Sequence, residues 1–393
     1  MTAFDNTAPK RFRVKFREFF AVVLSFAIMA GTSACAPAGD ASGGADSQKM
    51  RNIPSTELIK EIKAGWNLGN TLDATSGEGL NSELSWGNPK TTFEMIEEIK
   101  KAGFDAVRLP VSWGKHLGGA PDYEVDSAWM DRVEEVVGYV LDNGLYCILN
   151  THHESWLFPD EENEAENTKQ LTALWRQISA RFADYNEKLI FEGMNEPRLH
   201  GTRYEWNGGT EESRMVVNRL NAAFVKTVRG SGGNNKLRHL MVTGYAASAD
   251  KTGDGQWIFE SLELPENDDK LIVSVHAYLP YSFALKMPGG AKWLLEKEGS
   301  TRSINELFDG IKEVFTDKGV AVIIGETGAL NKDNLEARTN WAKYYFGKGR
   351  EYGIPCFWWD NGLVSGGGEL FGLFNRRELS WSFPEIKDAI LGK

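Results

Sequence analysis

The segment "LIFEGMNEP", residues 189–197, is an apolar, strand-like run that ends on an amide, a carboxylic acid and a proline: Asn195, Glu196 and Pro197. Ionisable groups are costly to bury, so an acid in this position indicates either a salt bridge or a site of chemistry. On its own, a carboxylate after a strand is more often a cap or an ion-pair partner. The pattern in which such segments recur along the chain decides between these two interpretations.

Seven other short apolar runs occur in the chain, and stretches with helical periodicity separate them. Continuous rather than alternating apolar runs are typical of parallel strands that are covered on both faces. The helical stretches 91–103 and 128–144 each close on a glycine, the usual residue after a helix end. Eight strand–helix units in about 340 residues predict an α/β fold, a single (β/α)8 TIM barrel, whereas a doubly wound sheet would need a glycine-rich phosphate turn after its first strand. The predicted strands are 64–70, 106–111, 146–153, 189–196, 239–244, 271–278, 320–326 and 354–360.

A barrel of this kind gathers its functional groups at the C-terminal ends of its strands. Polar residues do end most of the predicted strands, and random ion pairs would not concentrate in this way. They are Arg108 on the second strand, Asn150, His152 and His153 on the third, Asn195 and Glu196 on the fourth, His276 and Tyr278 on the sixth, Glu326 on the seventh, and Trp358, Trp359 and Asp360 on the eighth.

Glu196 and Glu326 end strands on different parts of the barrel wall, so their side chains converge if both face inward. Two converging carboxylates beside an arginine, imidazoles, a tyrosine and a tryptophan suit glycoside hydrolysis, in which one acid donates a proton and the other attacks the anomeric carbon. We expect an arginine and a tyrosine near Glu326 to hold it ionised. The charge of Glu326 is then expected to keep Glu196 protonated.

Eight short motifs between residues 64 and 362 resemble, in the expected order, the signatures of glycoside hydrolase family 5, the cellulase-type family of retaining β-glycanases. They read "GWNLGNTLDA", "WGNP", "VRLPVSW", "NTHHE", "FEGMNEP", "HAY", "IGETG" and "FWWDNG". The first two, together with "EWNGGT", are most similar to subfamily 4. That subfamily contains endoglucanases, xyloglucanases and mixed-linkage glucanases.

The resemblance implies a role for each matching residue. Glu196 would be the general acid/base and Glu326 the nucleophile, with Asn195 hydrogen-bonded to the sugar 2-hydroxyl. Family members often have a cis peptide after the stacking tryptophan, so we expect a strained Trp359–Asp360 bond. No metal and no organic cofactor is implied. The remaining site candidates are Arg108 and Tyr278, which would orient Glu326; His152, His153 and His276, which would line the subsite of cleavage; Trp359 rather than Trp358 as the stacking ring; and Asn70 and His116 as weaker binding candidates.

Other polar and aromatic features have simpler interpretations. The net charge is −11 and no basic block follows residue 17, which argues against nucleic acid as a partner. The "HHE" of residues 152–154 lacks a zinc-helix spacing, and adjacent strand residues are expected to point in opposite directions, so we predict no metal there. The acidic run 159–167 is interpreted as a solvated loop, and Cys147 and Cys356 as buried free thiols.

The tryptophans in the predicted loops are ambiguous from sequence. Each could be an outer platform for a sugar ring or an anchor within a loop core. Two tryptophans at helical spacing, Trp129 and Trp175, are interpreted as core residues. The ambiguous ones are Trp86, Trp113, Trp156 and Trp206.

The first 49 residues are interpreted as targeting sequence. Residues 1–35 combine basic residues with the apolar run 19–31, and Cys35 after Ser33-Ala34 resembles a bacterial lipobox, although Thr32 departs from the usual apolar residue. Ordinary cleavage nearby is the alternative. Residues 36–49 would be a flexible tether and 50–393 the catalytic domain. We therefore expect an exported chain, either a cell-surface or outer-membrane lipoprotein or a secreted protein, and a monomer.

The leading functional hypothesis is a retaining endo-β-1,4-glucanase that acts on cellulose-type glucan, mixed-linkage glucan or xyloglucan. The alternatives are a β-mannanase or xylanase on the same frame, or a surface lipoprotein that binds glycans without cleaving them. The presence of both Glu196 and Glu326 argues against the binding protein, because simple binding does not require a buried acid pair.

Overall fold

Eight parallel strands close into a barrel in the computed structural model, which describes residues 50–393. The strands follow one another around the barrel in chain order, and the eighth pairs with the first. This confirms the predicted (β/α)8 barrel. The proposed export signal, tether and Cys35 lie outside the described residues. The strands are β1 Ala64–Leu68, β2 Ala106–Leu109, β3 Tyr146–Asn150, β4 Leu189–Glu192, β5 Leu240–Ser248, β6 Leu271–His276, β7 Ala321–Thr327 and β8 Cys356–Asp360.

Helices alternate with these strands, and a small antiparallel hairpin follows the eighth strand. The hairpin pairs β9 (Phe374–Asn375) with β10 (Ser380–Trp381). The α-helices are α1 Ser55–Leu58, α2 Phe93–Ala102, α3 Ser127–Asp142, α4 Glu161–Arg181, α5 Glu211–Gly230, α6 Tyr281–Ala284, α7 Glu298–Val314, α8 Leu335–Tyr352 and α9 Pro384–Leu391. The 3-10 helices are Ile59–Glu61, Gly79–Leu84, Gly114–His116, Gly233–Lys236, Ile258–Ser261 and Thr316–Lys318.

Alternate residues of the strands fill the barrel interior, as the two-residue repeat of a strand requires. Ala106, Ile148 and Ile190 pack there together with Phe357, and Leu58 joins the same cluster. Gly65 makes room for the Phe357 ring, since a Cβ on Gly65 would lie 2.2 Å from it. The lower part of the barrel is therefore largely a packed apolar core.

The helix ends follow the local sequence. Thr92 caps α2 by accepting a hydrogen bond from the Met95 amide, and Gly103 ends the helix with a φ of 113°. The acidic run 159–167, expected to be a solvated loop, instead begins α4. Asp160 caps that helix and three glutamates occupy its first turn, where negative charge interacts favourably with the helix dipole. The expectation was wrong because acidic residues at a helix start resemble a polar loop.

Several further expectations concern the core. Cys147 and Cys356 are buried free thiols, as predicted. Trp129 and Trp175 are core residues, also as predicted. Among residues 50–393, no helix combines the length and apolar character needed to cross a membrane.

Candidate active site

Glu196 and Glu326 meet at the C-terminal mouth of the barrel, Glu326 on β7 and Glu196 four residues after β4, which ends at Glu192 and is shorter than the predicted strand 189–196. A carboxylate oxygen of each residue and a ring nitrogen of His276 all lie within 4.8 Å of one another. His276 Nδ1 is 2.8 Å from Glu196 Oε1 and 3.7 Å from Glu326 Oε2. His276 is also the strand partner of Glu326, just past a shift in the β6–β7 register. The irregular pairing at the mouth thus brings the imidazole between the two acids.

Arg108 and Tyr278 both bind Glu326. Arg108 Nη1 donates to Glu326 Oε1 at 2.7 Å, and the Tyr278 hydroxyl donates to Oε2 at 3.0 Å. Hydrogen bonds of this kind are strongest when the acceptor is an ionised carboxylate. Burial and the nearby Glu326 charge raise the pKa of Tyr278, so its hydroxyl remains a donor. The two contacts fix the orientation of Glu326 from both sides.

A third acid, Glu192, completes the arginine network and was not recognised from sequence. Arg108 is fully buried and donates from Nε to Glu192 at 2.7 Å and from Nη2 to Asn195 Oδ1 at 2.6 Å. Burial opposes the charge of Arg108, but Glu192 and Glu326 raise its pKa above the ordinary value. Ser274 and Asn150 also donate to Glu192. Glu192 therefore balances the arginine charge and leaves Asn195 fixed beside Glu196.

The charge state of Glu196 differs from the expectation. Burial by itself raises the pKa of Glu196, but the hydrogen bond from His276 and the charges of His276 and Arg198 lower it below the ordinary value. The pKa of His276 is in turn raised, because the charges of Glu326 and Glu196 outweigh its burial. The expectation that the Glu326 charge keeps Glu196 protonated was wrong because cationic neighbours surround Glu196. Both directions of shift favour an ionised Glu196 beside a protonated His276.

His152 and His153 lie beside one another next to Trp359, which corrects the expectation that they point in opposite directions. Their rings are 4.4 Å apart, and the His152 ring stacks on Trp359 at 5.6 Å. Both residues follow the end of β3, where strand alternation no longer applies. Burial lowers the pKa of His152, which favours its neutral form. Trp359 faces the mouth with Leu330 and Phe371.

The two histidines also approach the buried Asp73, and these three side chains have the spacing of a possible metal site. His153 Nε2 is 4.0 Å from Asp73 Oδ2. The Asp73 oxygens already accept hydrogen bonds from the backbone amides of Asn70 and Thr71. Asp73 is thus engaged in holding the loop after β1.

The expected strain after Trp359 is absent. Within residues 50–393, every cis peptide bond precedes a proline, and the Trp359–Asp360 bond is not among them. Both residues continue the regular pairing of β8 with β1, Trp359 beside Asn67 and Asp360 beside Leu68. Asp360 also accepts hydrogen bonds from the amides of Leu373 and Phe374. The regular pairing with β1 therefore continues through the Trp359–Asp360 bond.

The two weaker candidates, Asn70 and His116, do not join the acids. Asn70 follows β1 in the left-handed conformation with a φ of 58°, and its backbone bonds to Asp73 and Asn88. His116 is buried, stacks on Trp129 at 3.8 Å and contacts Ser82 Oγ at 3.1 Å. The expectation for His116 was wrong because a histidine in a loop near the mouth is indistinguishable, in sequence, from one packed beneath it.

The packing of His116 predicts an acid sensitivity that is unrelated to catalysis. Burial lowers the pKa of His116 to about 4, against 6.5 for the ordinary group. Because the unfolded chain binds the proton first, stability falls as the pH drops from 6.5 towards 4. We expect His116→Phe, which keeps a stacking ring, to reduce the difference in unfolding free energy between pH 7 and pH 4 by up to about 3 kcal/mol. Urea denaturation at both pH values measures it, and equal pH dependence in variant and wild type would contradict the assignment.

The loop tryptophans divide into inner and outer residues. Trp113 is fully buried and donates to the Asn150 carbonyl, so it is an anchor. Trp156 is half-buried and donates to Glu154, while Trp86 packs 5.5 Å from the His153 ring. Trp206 is 58% exposed, and the Arg198 guanidinium lies 4.2 Å over its ring. Trp206 is therefore the most accessible of the four rings.

A further acid near the mouth, Glu369, was also not recognised from sequence. It lies on the glycine-rich loop after β8, where Gly366 and Gly368 both have positive φ. Burial raises the pKa of Glu369, and the charges of Glu196 and Glu326 raise it further. A surface loop of glycines gives no strand alternation from which an inward-facing acid could be identified.

Known proteins resemble the chain over most of its length. The family model described as Cellulase (glycosyl hydrolase family 5) matches residues 70–364. Endoglucanase B of Ruminococcus albus is 49% identical over 350 residues, which cover 87% of this chain and 83% of that protein.

Two solved structures illustrate the similarity in fold. A broad specificity endoglucanase of subfamily 4 from Ruminococcus champanellensis, with bound cellotriose, has a TM-score of 0.83 and 46% identity, covering 87% of this chain and 99% of that one. A xyloglucan-specific endo-β-1,4-glucanase from a metagenomic library, in complex with cellotriose, has a TM-score of 0.81 and 42% identity, covering 86% and 98%.

Proposed function

The chain belongs to glycosyl hydrolase family 5, the cellulase family, and we propose that it is an endo-β-1,4-glucanase that hydrolyses β-glucans with retention of configuration. The observation that carries this proposal is the short separation of the acid pair. Oxygens of Glu196 and Glu326 lie within 4.8 Å of each other. Retaining pairs are about 5–5.5 Å apart, whereas inverting pairs are about 6.5–9.5 Å apart to leave room for a water molecule.

The first half of the reaction forms a bond between enzyme and sugar. Glu326, held by Arg108 and Tyr278, attacks the anomeric carbon and forms a glycosyl ester. Glu196 donates a proton to the departing glycosidic oxygen. The 2.8 Å contact between His276 Nδ1 and Glu196 Oε1 allows the imidazole to return a proton to Glu196 as the departing oxygen develops charge.

The second half releases the sugar. Glu196, now a carboxylate, removes a proton from water, whose oxygen attacks the anomeric carbon and displaces Glu326. The proton returns to the Glu196–His276 pair, so the cycle is balanced without a cofactor. Asn195, fixed by Arg108, is positioned to bind the sugar 2-hydroxyl, and Trp359 to stack on the ring in the same subsite.

The similar proteins support a glucan as substrate. Their names describe endoglucanases, one of broad specificity and one specific for xyloglucan, and two structures hold cellotriose. The stacking of His152 on Trp359 gives the cleft a flat wall that suits the faces of pyranose rings. We therefore propose cellulose-type glucan, mixed-linkage glucan or xyloglucan as the polymer.

A panel of polysaccharides tests the reaction and the substrate together. We expect the purified chain to release reducing ends from at least one of carboxymethylcellulose, mixed-linkage glucan and xyloglucan. Activity on mannan or xylan with none on the glucans would keep the mechanism and overturn the substrate. Binding without release of reducing ends from any polymer would favour a glycan-binding protein and reject the enzyme.

We further propose that the chain is exported and lipidated at Cys35. Support comes only from the basic and apolar residues that precede Cys35 and from the small residues around it. Expression in a bacterium with a labelled fatty acid tests lipidation. Label on the wild-type chain but not on Cys35→Ser is expected, and an unlabelled wild-type chain would reject the anchor.

A further inference from the structure

We propose that Arg198, two residues after Glu196, is a positioning residue that sets the protonation of the acid/base through direct contact. This inference rests on the proposed function, because it concerns the same acid. Arg198 Nη1 lies 3.3 Å from Glu196 Oε2 and 3.0 Å from the Glu196 carbonyl oxygen. It is thus the second cation on Glu196, on the carboxylate oxygen that His276 does not occupy.

The backbone around Arg198 is fixed on both sides. The Pro197 carbonyl accepts a hydrogen bond from the Ala246 amide at 2.9 Å, and the Leu199 amide donates to the Tyr245 hydroxyl at 2.9 Å. Tyr245 is itself buried. The backbone that carries the Arg198 side chain is therefore held in place by hydrogen bonds on both sides.

The guanidinium is held from two further directions. Arg198 Nε donates to Glu205 Oε1 at 3.2 Å, and Glu205 is fixed in turn by the Gly201 amide at 2.9 Å. The Trp206 ring covers one face of the guanidinium at 4.2 Å, a cation–π contact. With only 14% of the Arg198 side chain exposed, its charge is weakly screened by solvent. A simple surface ion pair would have neither the hydrogen bond to Glu205 nor the cover of the Trp206 ring.

The chemistry explains why this placement matters. Glu196 has to be protonated in the first step and ionised in the second, so its proton affinity must not be too high or too low. A positive charge this close to a carboxylate favours the ionised form. Arg198 thus favours the ionised Glu196 that the second step needs. It also makes the Glu196–His276 pair lose its proton at a lower pH than it would without Arg198.

Several other titratable or charged groups face the pair or Arg198 and have to remain unchanged in a test. These groups are Arg108, His152, His153, Glu205, Tyr278, Glu326 and Glu369.

The test is Arg198→Gln, with Arg203→Gln as the matched control. Arg203 is an exposed arginine of the same loop that stacks on Tyr204, 4.6 Å from the ring centroid. We expect the alkaline limb of kcat/KM on a soluble β-glucan to move to higher pH by about half a unit to one unit in Arg198→Gln. Arg203→Gln should leave it in place, and Arg198→Lys, which keeps the charge, should restore most of the wild-type profile.

A second readout does not depend on activity. The chain has six histidines, so the titration of His276 can be followed by NMR of the imidazole groups. His276 should titrate at higher pH in Arg198→Gln, because removing a cation favours the protonated pair. If Arg198→Gln does not fold, Trp206→Ala loosens the arginine and should give a smaller shift of the same sign.

The outcomes separate this inference from the proposed function. A wild-type enzyme that cleaves glucans, with the same kcat/KM profile and the same His276 titration in Arg198→Gln, would overturn the role of Arg198 alone. Equal shifts in Arg203→Gln and Arg198→Gln would also overturn it, since a general charge effect would then suffice. A wild-type chain that cleaves nothing would reject the proposed function, while the His276 titration would still decide the role of Arg198.

Discussion

Glu326→Gln is expected to lower kcat on every β-glucan at least about a thousandfold, because a neutral amide is a poor nucleophile and forms no glycosyl ester. The fold should survive the change. Arg108 keeps its hydrogen bonds to Glu192, Asn195 and Asn67, and the new amide can accept from Arg108 through its oxygen while its NH2 donates to the Tyr278 hydroxyl oxygen. Reducing-end release measures turnover, and calorimetric titration with cellotetraose measures binding, which should be retained.

Glu336→Gln is the control for this experiment. Glu336 is an exposed acid in the first turn of α8, and its replacement removes the same charge from the same part of the chain. Turnover should stay within about twofold of the wild type, since surface substitutions away from the site have small effects. Retained activity in Glu326→Gln would remove Glu326 from the nucleophile role, whereas lost activity together with lost folding would require the thermal melting of both variants to be compared.

The part of the site that lies on strands follows from the alternation of inward residues. Ala106 and Ile190 pack in the barrel interior, so Arg108 and Glu192, two positions further along, face the same way. In the same way, Phe357 packs in the interior, so Trp359, two positions further along β8, also faces inward. Glu192 could have been identified in this way. It was missed because it lies inside the apolar run, four residues before the more conspicuous Glu196.

The loop residues do not follow from such a rule. His152 and His153 were expected to diverge, yet their rings touch, because they lie beyond the end of β3 where the backbone is irregular. The charge state of Glu196 depends on distances to His276 and Arg198, which the sequence does not contain. His116 was placed at the mouth by its position after β2, but packing against Trp129 decides its location. Alternation and chain order thus predict which way the side chains of a strand point. The side-chain positions in the loops and the charge state of Glu196 depend on tertiary contacts instead.

Glu196→Ala is expected to separate the two halves of the reaction. On β-glucan polymers, whose leaving group needs a proton, kcat should fall about a hundred- to ten-thousandfold, the usual contribution of a general acid. On a dinitrophenyl cellobioside the leaving group departs without protonation, so the glycosyl ester on Glu326 should still form. Release of that ester should be slow, and stopped-flow absorbance should show a burst of dinitrophenolate followed by a low steady rate.

Azide provides the decisive step for the same variant. The Glu196 side chain is 17% exposed, so the space it vacates is accessible to a small anion from solvent. Azide needs no general base, and it should raise the steady rate and yield a β-glycosyl azide, because two inversions at the anomeric carbon retain the configuration. Glu211→Gln, which removes an exposed acid from the first turn of α5, should show neither a burst nor a response to azide. An α-glycosyl azide would instead mean direct displacement, and the acid pair would then act without a covalent intermediate.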